Sequence, residues 1–151
     1  MAIRFFDTSA FAKHYRTEVG TATVDTLLAE TGSRHIISDL GVVELHSVIA
    51  RLVREGAITA AEFQSARGRF LADVVSNVWE VAPVTAAHFH LAQQLLLRHG
   101  LTSRLRTLDA IQRAVALVHI GAPLDAFVSA DSNLCLIAAA EGLTVLNPEV
   151  P

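Results

Sequence analysis

The sequence predicts an α/β fold in which a central parallel sheet of four or five strands is covered by helices on both faces. Three observations lead there. Short β-type apolar runs alternate with amphipathic helical segments along the whole chain. Strands separated each time by a helix pair in parallel through right-handed crossovers. A length of 151 residues supplies one full hydrophobic core and is too short for two ordinary domains, so a single domain spanning 1–151 is expected.

Each element has its own justification. Ile3-Arg4-Phe5-Phe6 is a short strand that delivers Asp7 at its carboxyl end, and Ser9 to Tyr15 reads as a helical turn or two. From Thr23 to Glu30, Val24, Leu27 and Leu28 share one helix side, and Gly32 ends the segment. His35 to Ser38 is the second strand. Leu45, Val48, Ile49 and Leu52 recur at helical spacing between Asp39 and Arg54, with Gly56 as the stop. Thr59 opens a further helix to about Val75, because Glu62 three residues on completes a capping box. Val78 to Ala82 is a third strand ended by Pro83. Thr85 to His99 is amphipathic and closes at Gly100, and a basic loop follows to Leu105. Thr107 caps a helix to His119. Ala126 to Ser129 is a fourth strand, Asp131 to Glu141 a helix closed by Gly142, and Leu143 to Leu146 a fifth strand.

Composition narrows the function classes. The hydrophobic share is 52% and the mean hydropathy +0.42, yet charge interrupts every apolar run before membrane-spanning length, and the N-terminus lacks the apolar core of a secretory signal. A cytoplasmic protein with no membrane association is expected. Cys135 is the only cysteine, which excludes an intramolecular disulfide and a thiolate zinc cage; in Leu134-Cys135-Leu136-Ile137 it reads as a small buried hydrophobe. The net charge of −3 argues against an overall basic field, although Arg98, Arg104, Arg106 and Arg113 fall close together and offer contacts to phosphates.

Four acids are the candidate chemistry. In open parallel sheets ligands bind beyond the carboxyl ends of the strands, where Asp7 and Asp131 emerge. Asp109, in the first turn of its helix, opens toward the same end. Glu44 sits at the edge of an apolar helical stripe, one turn from Val48 and in line with Arg51. Each has a bland role as well. Asp109 complements a helix dipole, Asp131 and Asp7 are natural N-caps, and Glu44 is a boundary charge paired along its helix with Arg51 or Ser47.

Taken together, Phe5-Phe6-Asp7-Thr8-Ser9-Ala10, Val42-Val43-Glu44-Leu45 through Ala50-Arg51-Leu52, Leu105-Arg106-Thr107-Leu108-Asp109-Ala110 and Phe127-Val128-Ser129-Ala130-Asp131 resemble the four acidic motifs of PIN-domain nucleases in order and spacing. Over its whole length the chain is similar to the VapC-type toxins of bacterial toxin–antitoxin pairs. The resemblance implies a PIN-like α/β/α sandwich and a metal-dependent endoribonuclease, with RNA as substrate, a cognate antitoxin as partner and a homodimer as assembly. It makes Asp7 and Asp109 the primary metal ligands, completed by Glu44 and Asp131, with Thr8 and Ser129 orienting the carboxylates. Such an oxygen-rich set suits Mg²⁺ or Mn²⁺ better than zinc. One departure from the pattern is Gln112-Arg113, a pair that bears on the substrate groove and is expected to leave the carboxylates untouched.

Other classes fit less well. His88 and His90 are two residues apart and do not share a helix face, so a zinc hydrolase lacks ligands and the histidines read as surface or boundary residues. Glycine signatures for phosphate loops and dinucleotides are missing. A phosphoaspartate receiver shares the fold class, but here the acids spread over four elements and Lys13, the only lysine, falls early in the chain. A non-catalytic PIN-like module that binds RNA or protein is the alternative from another class.

Overall fold

The computed structural model describes residues 1–118 and 123–150. A five-stranded parallel sheet runs in the order β3-β2-β1-β4-β5, with β1 Ile3–Phe6, β2 Arg34–Ser38, β3 Glu80–Ala82, β4 Ala126–Val128 and β5 Val145–Leu146. The helices are α1 Thr8–Phe11, continued by a 3₁₀ turn over Ala12–His14, then α2 Thr21–Leu28, α3 Asp39–Arg54, α4 Ala60–Val75, α5 Ala86–His99, α6 Thr107–Val118 and α7 Ser132–Ala140.

The two-residue period of the strands builds both cores at once. Phe5, Ile36 and Phe127 point to one face, where they meet Leu95 of α5, Ala110 and Ala114 of α6, and Leu134 and Ile137 of α7. Their neighbours Phe6, Ile37 and Val128 point to the other, against Phe11, Val24, Leu45, Ile49 and Phe70 from α1 to α4. Strands flanked on both faces leave no room for polar alternation, which is why they read as continuous apolar runs.

Most boundaries fall within two or three residues of the sequence expectation. Asp7, Ser38, Thr59 and Asp131 are N-caps whose side chains accept from backbone N–H groups of the first turn. The Thr59 box is complete: Thr59 Oγ1 accepts from Glu62 N at 3.1 Å and Glu62 Oε2 from Thr59 N at 2.7 Å. Thr59→Ala is expected to lower stability by about 1 kcal/mol, read as a fall in urea midpoint at unchanged m-value. Gly56 and Gly142 end their helices at positive φ, as their positions predict, whereas α2 already stops at Leu28 and Gly32 takes its positive φ in the turn beyond.

Some expectations change. Thr107 is the first helical residue of α6 rather than its cap, and that helix is described to Val118, so its expected end at His119 lies outside the described residues. The third strand begins at Glu80, because Val78 instead donates its N–H to the carbonyl of Asp73 at the end of α4. Among the described residues no helix is long and apolar enough to cross a membrane.

Candidate active site

The chain leaves β1 to build β2 and β3 on one side, then crosses back to place β4 on the other side of β1. Where that order reverses, the loops after β1 and β4 diverge and leave a crevice at their carboxyl ends. Asp7 stands on one lip, its backbone N–H donating to Val128 O at 3.0 Å across the two strand ends. Asp131 stands on the other, as the cap of α7. The crevice opens into a cleft of about 920 Å³ lined by Asp7, Glu44, Asp109 and Asp131, so all four predicted acids face one space.

Their surroundings differ. Asp7 is buried; its Oδ1 accepts from Ser9 Oγ at 2.7 Å and from Ala10 N at 3.2 Å. Ser9 Oγ in turn accepts from Ala130 N at 2.9 Å and lies 3.3 Å from Ser129 Oγ, which accepts from Asp131 N at 3.1 Å. A relay of hydroxyls thus ties the Asp7 loop to the Asp131 loop. Ser129 belongs to it; Ser9, two residues after Asp7 in sequence, is the member that sequence reasoning missed.

Glu44 does not pair with Arg51 or Ser47. Its Oε2 accepts from Thr8 Oγ1 at 2.5 Å and from Gln112 Nε2 at 2.6 Å, while Arg51 lies 3.9 Å from Glu55 one turn on. The expectation that Gln112 leaves the carboxylates alone is therefore corrected: α6 presents Asp109 and Gln112 three residues apart on one face, and that face meets α3. Asp131 is exposed, its Oδ1 accepting from Leu134 N at 3.0 Å.

Burial pushes the Asp7 carboxyl up to about 7, against the pull of Ser9, the Ala10 N–H and Ser129, and the negative charge of Asp109 adds to the rise. Asp109 is raised first by burial, then by Asp131 and Glu44. None of the four carboxylates forms an ion pair among the described residues. A cleft of carboxylate oxygens that form no salt bridge is chemically suited to a hard divalent cation. The side chains are not gathered into a closed cage, however: among the described residues no three His, Cys, Asp or Glu side chains are arranged to hold an ion.

Several other sequence expectations are redrawn. Arg113 is fully buried and donates to the carbonyls of Leu134 and Ile137 at 3.4 and 3.1 Å, so it serves packing and not the groove. Arg98 pairs with Glu141 at 2.9 Å. Of the four clustered arginines, Arg106 lines the cleft, joined by Arg16, Arg51 and Arg69 from distant parts of the chain. His35 and His88 are buried rather than at the surface: His35 packs edge-on to Phe6 and Trp79, and His88 Nδ1 accepts from Thr85 N at the start of α5. Cys135 is only partly buried, its thiol donating to Ser129 O. Lys13 is buried and paired with Glu149 and Glu18, not with any of the four acids.

Comparison with known proteins agrees with this architecture. The chain is similar in fold to the Mycobacterium tuberculosis toxin VapC20, described as cleaving the sarcin-ricin loop, at 23% identity and a TM-score of 0.67 over 97% of this chain and 98% of that one. It is similar to FitAcB from Neisseria gonorrhoeae at 18% identity, TM-score 0.70, over 98% and 99%. A toxin–antitoxin complex from Klebsiella pneumoniae matches at 15% identity, TM-score 0.60, over 98% of each chain. No curated protein matches. Residues 4–140, which include all four acids, match the PIN domain, and the chain belongs to the PIN domain family.

Proposed function

We propose that the chain is a divalent-metal-dependent endoribonuclease, the toxin of a type II toxin–antitoxin pair. The observation that carries this reading is the meeting of Asp7, Glu44, Asp109 and Asp131 in one cleft at the switch point of a PIN-family sheet, with no salt bridge to any of the four among the described residues.

In this reading Asp7 and Asp109 are the principal ligands of Mg²⁺ or Mn²⁺, with Glu44 and Asp131 completing the set directly or through waters. The bound cation supplies positive charge that lowers the pKa of an attacking water and offsets charge developing on the scissile phosphate. The chain's own contribution is orientation. Ser9 holds Asp7, Thr8 holds Glu44, and Ser129 fixes the backbone from which Asp131 projects. No side chain is required as nucleophile. The acidic net charge is offset locally: Arg16, Arg51, Arg69 and Arg106 line the same cleft, where they meet the phosphates of a single strand. A cognate antitoxin and a second copy of the chain are the expected protein partners, and the solved toxin–antitoxin complex among the similar folds supports the first.

The test is cleavage of a mixed RNA pool by purified, antitoxin-free protein in Mg²⁺, Mn²⁺ or EDTA. The nuclease gives products with metal and none in EDTA. A non-catalytic module that binds RNA or protein gives none in any of the three.

A further inference from the structure

Resting on that reading of the acidic cleft, we infer that Gln112 is a positioning residue that holds Glu44 in place toward the metal. Gln112 is 3% exposed. Its Oε1 accepts from Ser38 Oγ at 2.6 Å, and its Nε2 donates to Glu44 Oε2 at 2.6 Å and to Thr8 Oγ1 at 3.0 Å. The orientation of the amide is dictated by its neighbours. The Glu44 carboxylate only accepts and so takes the amino group, which turns the amide oxygen toward Ser38 Oγ; that hydroxyl accepts the Gly41 N–H at 2.9 Å as the cap of α3 and donates its proton to the glutamine oxygen.

The result is a chain of directed hydrogen bonds from the α3 cap, through α6, to a carboxylate on α3 itself. Thr8, next to Asp7, completes it: Thr8 donates to the same Glu44 oxygen that Gln112 does. Two donors on Oε2 fix the carboxylate and leave Oε1 without a hydrogen-bond partner among the described residues. Space for the amide is provided by Gly41. A Cβ there would lie 3.2 Å from Gln112 Nε2 and 3.1 Å from Phe11, so a glycine stands inside the first turn of α3 although alanine is the better helix former.

Positioning through Glu44 makes a prediction that simple packing does not. Mn²⁺ affinity is measured calorimetrically, without RNA, for the wild type, Gln112→Met, Glu44→Gln and the double variant. Methionine matches glutamine in length and cannot donate. Gln112→Met is expected to weaken Mn²⁺ binding about tenfold, and in the Glu44→Gln background to change it less than about twofold, because the group it orients is already altered. Gly41→Ala, which crowds the amide without removing it, is expected to weaken binding a few-fold in the same Glu44-dependent way, and serves if Gln112→Met does not fold. In RNA cleavage the Gln112→Met loss falls in kcat with KM within about twofold.

An unchanged affinity in Gln112→Met, or equal losses with and without Glu44, overturns the assignment. Wild type that binds Mn²⁺ but cuts no RNA overturns the nuclease reading and leaves the affinity cycle to decide the role of Gln112. Wild type that binds no Mn²⁺ overturns both.

Discussion

Asp7→Asn is expected to stabilise the metal-free protein at pH 8, an unusual outcome for a substitution at a buried polar residue. The folded state holds the Asp7 carboxyl at about 7, against 3.8 for the ordinary carboxyl, chiefly because the group is buried. Between those two values the folded chain binds more protons than the unfolded chain, so this residue makes stability fall as pH rises, with its full penalty present above about 7. The shift corresponds to an upper bound of about 4 kcal/mol, and relaxation of the cleft reduces it to about 2 kcal/mol. Asparagine removes the charge and keeps an oxygen to accept from Ser9 and Ala10, in a residue well suited to an N-cap. Urea denaturation in EDTA checks this: the variant gains at pH 8, and its advantage shrinks to near zero at pH 4. A variant less stable than wild type at pH 8 would contradict the burial argument. Saturating Mg²⁺ inverts the order, since an ion at a hundred times its Kd stabilises wild type by about 2.7 kcal/mol and the variant by much less.

Asp109→Asn carries the second large effect, and it falls on activity. The carboxylate lies at the mouth of α6 among the charges of Asp131 and Glu44, and replacing it leaves the apolar face of the helix, Ala110, Ile111 and Ala114, intact. The variant is expected to fold with a melting temperature at or above that of wild type in EDTA, yet to lose metal-dependent cleavage by at least about a hundredfold. The Asp7→Asn/Asp109→Asn double variant loses little more than the worse single, because groups that act on one ion do not contribute independently. A hundredfold loss accompanied by unfolding would point to damage instead, and circular dichroism with melting separates the two.

The fold was legible because its signals are local. Phe5 and Phe6 alternate faces within one strand, Thr59 and Glu62 cap within one turn, and Gly56 and Gly142 stop helices at positive φ. The four acids were legible for a similar reason: three sit at strand or helix ends, where chain direction decides which edge of the sheet they reach. What escaped was pairing across the chain. Glu44 and Gln112 are 68 residues apart, and nothing in either neighbourhood announces that α6 meets α3 through an amide. Arg113 was misplaced for a related reason. Charge in a sequence implies solvent, but a guanidinium can be buried when helix carbonyls accept from its two terminal nitrogens, as those of Leu134 and Ile137 do here, even though its Nε finds no partner. Gln112 and Asp109 at a spacing of three were a visible cue, as was the glycine at 41, and both acquire meaning only when the facing helix is known.

We propose that the four carboxylates hold a divalent cation for cutting RNA. Initial cleavage rates over a range of Mn²⁺ concentrations, for wild type beside the Asp7→Asn/Asp109→Asn variant, test it most directly. A metal-dependent nuclease gives a rate that rises from zero in EDTA and saturates with Mn²⁺ in wild type, and no response in the variant. Equal curves for the two proteins, or cleavage that persists in EDTA, would contradict it.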